Sequence, residues 1–281
     1  MTQHFAMPQS EAESGNAGMQ MRVQSIRWCS PAIRELELRR PDGGGALPGI
    51  APGGHIDVSL PGDITRSYSL TNAPECRDAY FVAVQRAPQS QGGSAYLCEQ
   101  LRVGDLVEVT PARNTFPMAE TTGDSVFIAG GIGITPILSM IRHLDANEAH
   151  WQLLYASRTR ADAAFVSEIE ALDRGRGRVR FHFDDEKNGT LPDLAAYVAE
   201  APGEAHFYAC GPAPMLEAYE SACKDIAADR VHLERFAGDA DVSGGGFVVE
   251  LRRSGKEFLV PEGRTIMEVL KEAGIRVAYS C

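Results

Sequence analysis

No two of the six cysteines (Cys29, Cys76, Cys98, Cys210, Cys223 and Cys281) form a C-x-x-C pair. That excludes a zinc-finger signature and a dense disulfide framework, and it predicts a reducing compartment, the cytoplasm. No apolar run approaches the length of a membrane span, so no membrane partner is expected. Cations are scarce: 27 Lys and Arg stand against 38 Asp and Glu, a net charge of -11. A general nucleic-acid binder needs clustered Lys and Arg to neutralise phosphates, so that class is excluded too. Residues 1–21 lack a basic stretch followed by an apolar core, which excludes a secretory signal and reads as a disordered leader.

What is present is a packable chain, 44% hydrophobic and 281 residues long, enough for two domains and part of a third. Its most informative stretch is Gly130-Gly131-Ile132-Gly133-Ile134-Thr135-Pro136, between the apolar run 125–129 and a helical pattern over 137–144. A strand, a glycine turn and a helix present backbone N–H groups and a favourable helix end to a phosphate. Pro136 suits a first helical turn, where its missing N–H costs nothing. The turn lacks the G-x-G-x-x-G spacing and is followed by no Lys-Ser/Thr pair, so it is neither the usual dinucleotide fingerprint nor a Walker loop. By itself it reads equally as a tight strand-to-helix connection.

Three regions differ in pattern. Residues 22–118 alternate like short strands, as in 33–38, 55–60 and 79–84, separated by Pro and Gly clusters, with only 94–101 helical. That pattern predicts an antiparallel barrel or sandwich. From 119 to 236, apolar strands alternate with helices, including 163–172, as in a parallel sheet covered by helices. Residues 237–246 read as a linker, and 247–281 as a hairpin plus one helix ended by Gly274, too little for an independent core.

Smaller motifs bear on chemistry. Arg66-Ser67-Tyr68-Ser69 puts a cation, an aromatic ring and hydroxyls on one strand, with Arg66 and Tyr68 on the same face. It could grip a phosphate and a planar ring, or be an ordinary half-exposed strand. Gly92-Gly93-Ser94 opens a helical run, as an anion site or as a plain cap. Cys210-Gly211-Pro212 follows another strand of the second region, and Glu234-Arg235-Phe236 ends that region.

In this order the motifs resemble the ferredoxin–NADP reductase-like superfamily. With Glu234, Phe236, the linker and the last fragment, the chain resembles its phthalate dioxygenase reductase branch. That branch includes vanillate O-demethylase reductases and serves Rieske-type oxygenases in aromatic catabolism. The resemblance covers residues 22–281. It implies an antiparallel β-barrel flavin domain, an α/β parallel-sheet NAD domain and the opening part of a β-grasp ferredoxin domain. It further implies FMN, NADH and a plant-type [2Fe–2S] centre, with hydride passing from nicotinamide to flavin and single electrons leaving for a Rieske-type oxygenase.

Carried over by position, Arg66, Ser67 and Ser94 bind the flavin, with Gly92 and Gly93 as backbone contacts. Tyr68 packs on the flavin ring and Ser69 lies at its reactive edge. Gly130, Gly131, Gly133, Thr135 and Pro136 hold the dinucleotide. Cys210, Gly211 and Pro212 line the nicotinamide pocket, Glu234 sits beside it and Phe236 shields a flavin face. Ser69, Cys210 and Glu234 are thus the expected catalytic set. Arg158, in the loop Ser157-Arg158-Thr159-Arg160, is the candidate for the adenosine side, where an Arg could instead accept the 2′-phosphate of NADPH. Cys281 fits the first ligand of a C-x₄-C-x₂-C…C cluster pattern, so the 281-residue form is expected to hold no stable cluster. The alternatives are a flavin reductase with a separate acceptor and a non-enzymatic electron-transfer subunit.

Overall fold

Apolar residues at every second position build the first half of the molecule. The computed structural model describes residues 18–62, 64–87, 92–120, 123–236, 247–251, 256–261 and 264–275. Strands β1 (Met19–Ser30), β2 (Ile33–Arg39), β3 (His55–Leu60), β4 (Ile64–Ser69), β5 (Tyr80–Gln85) and β6 (Leu106–Val109) pair in the order β4-β3-β6-β1-β2-β5. A Leu70–Val82 bridge joins the two outer strands, which closes the sheet into a barrel and removes its free edges. Met21, Val23, Leu36, Leu38, Ile56 and Val58 point inward and are buried. Helix α1 (Gly93–Ala95) runs into a π-helical turn, Tyr96–Gln100, close to the helical run expected at 94–101.

The last residues of the segment read as a leader are strand. Strand β1 begins at Met19, and Met21 is fully buried opposite Val107. Burying a methionine side chain contributes about 1.5–3 kcal/mol, which offsets the roughly 1–2 kcal/mol of ordering a residue. Residues 1–17 lie outside the described residues.

The second half is a five-stranded parallel sheet, order β11-β10-β7-β8-β9. Its strands are β7 (Ser125–Gly130), β8 (Trp151–Ser157), β9 (Val179–Phe183), β10 (His206–Cys210) and β11 (Val231–Glu234). Helices α2 (Ile134–Ala146), α3 (Val166–Asp173), α4 (Leu194–Ala199) and α5 (Ala213–Ala222) cover it. All six residues of β7 are buried, as expected of a central parallel strand. Alternate β7 residues feed two cores: Phe127 packs with Ile137, Met140, Trp151 and Tyr208, and Val126 and Ile128 pack with Leu194, Tyr197 and Leu216. The first core also contains Ile33 and Ala83 of the barrel, so the two halves share apolar packing.

One helix starts later than its pattern predicts. α3 begins at Val166 rather than 163, because Phe165 takes a left-handed φ of 63°. That conformation costs about 1–2 kcal/mol, offset by placing the ring in the core beneath the Arg27 guanidinium, 5.4 Å from its centre.

Beyond the 237–246 segment, which lies outside the described residues, β12 (Phe247–Leu251) and β13 (Lys256–Val260) form an antiparallel hairpin. Helix α6 (Ile266–Glu272) follows, opened by a Thr265–Glu268 capping box and closed before Gly274, whose φ is 72°. Among the described residues, no helix is long and apolar enough to cross a membrane.

Candidate functional site

The chain leaves β7 toward β8 and β9 on one side and returns to β10 and β11 on the other. Strand order therefore reverses between β7 and β10, and ligands of open α/β sheets bind outside the carboxyl ends at that reversal. Both glycine turns stand there. A Cβ on Gly133 would lie 2.1 Å from the Cys210 carbonyl oxygen. One on Gly130 would lie 2.6 Å from Met215 Sδ and 2.7 Å from Pro212 Cδ, and one on Gly211 would lie 3.1 Å from Gly130 Cα. These three glycines let the β7 and β10 turns touch backbone to backbone.

Gly131 is different. Its φ is 52° and nothing lies within 4 Å of where a Cβ would be, so its space is open to a ligand. The Tyr155 hydroxyl holds this turn by donating to the Gly131 carbonyl at 3.2 Å. Thr135 is buried, and its hydroxyl donates to the Ile132 carbonyl at 3.0 Å. Its side chain thus shapes the turn from within. Pro136 lies in the first turn of α2 and is buried as well.

On the barrel, Arg66 and the Gly92-Gly93-Ser94 turn are neighbours: a Cβ on Gly93 would lie 3.0 Å from Arg66 Cγ. Gly92 has a φ of 115°, which only glycine adopts without strain, and its carbonyl accepts from Tyr96 N–H at 2.9 Å. Ser94 Oγ accepts from the Ala87 N–H at 3.1 Å. A guanidinium beside a short helix start bare of side chains is a cradle that suits a phosphate. Tyr68 packs against the barrel core, and burial pushes its phenol well up, so it stays neutral. Ser67 alternates to the other face, where its hydroxyl donates to Asp57 Oδ1 at 2.7 Å, and Arg113 pairs with the same carboxylate. Ser69 is buried, and among the described residues no hydrogen bond engages its hydroxyl.

At the sheet's far strand, Cys210 and Glu234 are register partners. Cys210 is fully buried, and burial together with the Glu234 charge raises its thiol far above the usual range. Burial lifts Glu234 to about 7, and among the described residues its Oε2 has no hydrogen-bond partner. Phe236 packs at the rim of the core that holds Phe127 and Tyr208. Arg158, exposed after β8, makes no side-chain bond to a described residue, whereas Arg160 pairs with Glu170 and Glu186 and lies over Phe183. Cys281 lies outside the described residues, among which no group of three metal-ligating side chains occurs.

The sequence reading gave no role to Asp57 and Arg113, which anchor Ser67, or to Glu35. Glu35 accepts from Thr71 Oγ1 at 3.0 Å and from Arg27 at 2.7 Å, at the seam between the halves. For Asp57 and Glu35 the visible signal is a charged residue among strand positions that alternate into the protein; Arg113 lies outside the strands, on an isolated bridge to His55.

A closed antiparallel barrel followed by a parallel sheet with two glycine turns at its switch point defines an oxidoreductase of the ferredoxin-reductase-like fold. Residues 127–221 match the oxidoreductase NAD-binding domain family. The chain is 46% identical to phenoxybenzoate dioxygenase subunit beta of Ectopseudomonas oleovorans, covering 94% of this chain and 82% of that protein. It is 44% identical to tetrachlorobenzoquinone reductase of Sphingobium chlorophenolicum, covering 93% and 82%. The solved phthalate dioxygenase reductase, described as a modular structure for electron transfer from pyridine nucleotides to [2Fe–2S], superposes with a TM-score of 0.77 at 32% identity, covering 94% of this chain and 83% of that one. The chain belongs to the phthalate dioxygenase reductase family, the reductase components of oxygenase systems.

Proposed function

We propose that this chain takes hydride from NADH onto FMN in its barrel domain and passes electrons, in the cytoplasm, toward a Rieske-type aromatic oxygenase or O-demethylase. Bound FMN supplies the exchange of a two-electron donor for one-electron acceptors. The chain's own residues bind and orient. Arg66, with the Gly92-Gly93 backbone and Ser94, holds the flavin phosphate, and Tyr68 offers a neutral ring to the isoalloxazine. Ser69 brings an uncommitted hydroxyl to the flavin edge. Gly131 gives the dinucleotide its approach to the backbone, within a turn that Gly130, Gly133, Thr135 and Pro136 shape. Cys210, Gly211 and Pro212 line the nicotinamide side. The Cys210 thiol stays protonated and Phe236 excludes water. Arg158 faces the adenosine end, with NADH preferred to NADPH.

The observation that carries this reading is the meeting of both glycine turns at the β7–β10 reversal, on a sheet that shares its core with the barrel. Cys281 would supply the first of the four cysteines that hold a plant-type cluster. The likeness to a quinone reductase favours a second reading, in which a small quinone accepts the electrons directly.

The test is anaerobic titration of FMN-loaded protein with NADH or NADPH. Bleaching of the flavin by NADH supports the reading, and failure to bind FMN or to bleach overturns it. Arg66→Ala is expected to weaken FMN affinity at least ~10-fold, the lower end for a lost charge-assisted bond. Turnover with a benzoquinone alone, compared with a purified Rieske oxygenase, separates the two acceptors.

A further inference from the structure

Helix α2 starts at the dinucleotide turn, and two of its side chains reach across to the chain segment leaving β4. Ser139 is fully buried, and its hydroxyl donates to the Asn72 carbonyl at 2.9 Å. Arg142, one turn further along the same face, donates to the Thr71 carbonyl at 2.6 Å. Thr71 and Asn72 are themselves buried and follow Ser69 directly after Leu70. Asn72 is locked in turn: its amide donates to the Cys76 and Ala79 carbonyls and accepts from Phe81 N–H at 3.1 Å.

From Thr71 the bonds run in a closed circuit through both domains. Its hydroxyl donates to Glu35 Oε1 at 3.0 Å, and Arg27 donates to Glu35 Oε2 at 2.7 Å. Arg27 also pairs with Glu168 on α3, and Glu168 accepts from Arg142 at 2.6 Å. Arg142 returns to Thr71. Two arginines and two carboxylates balance in charge, and Glu35 is buried. Arg27, Arg142 and Glu168 are partly exposed, so the hold lies in the buried members: a shift of α2 leaves the buried Thr71 and Asn72 carbonyls and the Ser139 hydroxyl without their partners.

We infer that Ser139 and Arg142 are positioning residues for hydride transfer: they peg the helix that begins at the dinucleotide turn to the Thr71–Asn72 segment, which directly follows the strand that carries Arg66, Tyr68 and Ser69. This rests on the proposed nicotinamide–flavin reaction. The peg sets the distance between the two rings without touching either. Misplacing reacting groups by about 1 Å costs ~100-fold in rate, so a slack peg shows in the hydride-transfer step before it shows in binding.

The test compares wild type with Ser139→Ala, Arg142→Met and Arg142→Lys, each loaded with FMN, by stopped-flow reduction with NADH. Wild type must bleach; if it does not, the functional reading fails and not the peg. The peg predicts that Ser139→Ala and Arg142→Met slow flavin reduction about 10- to 100-fold and weaken the long-wavelength nicotinamide–flavin charge-transfer absorbance. FMN affinity and the NADH concentration at half-saturation stay within about twofold of wild type. Arg142→Lys, which keeps a donor for the Thr71 carbonyl, recovers part of the rate. Reduction rates within about twofold of wild type in both Ser139→Ala and Arg142→Met overturn the inference. Loss of FMN from either variant overturns it as well, because the contact would then hold the barrel together rather than register the two domains.

Discussion

Glu234 is the residue whose chemistry depends most on its surroundings. Burial holds its carboxyl at about 7 against an ordinary 4.5. An acid raised in the folded state keeps its proton where the unfolded chain has lost its own. Stability from this group is therefore full below about pH 4.5, falls as pH rises through about 7, and is flat above, a loss of at most ~3 kcal/mol. Glu234→Gln removes the ionisation. The melting temperature of the variant is expected to gain on that of wild type between pH 5 and pH 8, and an unchanged gap would show that the carboxyl titrates normally. The sequence marked Glu234 through family resemblance alone. Its burial comes from pairing β11 against β10, which no local pattern contains.

At the scale of elements, the β7–α2 turn and the β10–α5 turn are one packed unit. Gly133→Ala would drive a Cβ to 2.1 Å from the Cys210 carbonyl, a backbone atom that cannot step aside cheaply. Such overpacking costs about 1–3 kcal/mol or more. Gly131→Ala meets open space and costs only the left-handed φ, about 1 kcal/mol. Urea unfolding should rank Gly133→Ala well below Gly131→Ala in stability, while NADH affinity should fall for Gly131→Ala, whose methyl fills the ligand's approach. The reverse order in unfolding would refute the packing assignment. The elements themselves were legible: alternation marked the strands, and Pro136 and Gly274 marked helix ends. Two edges were not. β1 runs back to Met19 because β6 pairs with it, and α3 starts late because the core takes the Phe165 ring. Both depend on partners distant in sequence.

Across the whole molecule, the barrel and the α/β sheet share a core through Ile33, Ala83 and Phe116, and share polar bonds through Thr71, Asn72 and Arg142. The two halves should therefore unfold together. Of the two tryptophans, Trp28 is 62% exposed on the barrel and Trp151 is buried in the α/β core. In Trp28→Phe, Trp151 fluorescence reports the sheet, while release of FMN reports the barrel. Both signals should change at one temperature, as two-state unfolding requires. Release of FMN more than about 5 °C before the Trp151 transition would show independent domains.

By itself the sequence determined the classes of element, their order, the change from antiparallel to parallel pattern near residue 119, and which glycine turns follow strands. These follow from side-chain period and backbone permissiveness, which act over a few residues. Tertiary structure decided which glycine leaves room for a ligand and which ones merely let two turns touch. It also decided that Thr135 and Ser67 spend their hydroxyls inside the protein, and that α2 is bonded to the Thr71–Asn72 segment that follows the strand bearing Arg66. The physical reason is that close packing and hydrogen-bond satisfaction are set by neighbours in space, and a chain written in one dimension does not state which residues those are.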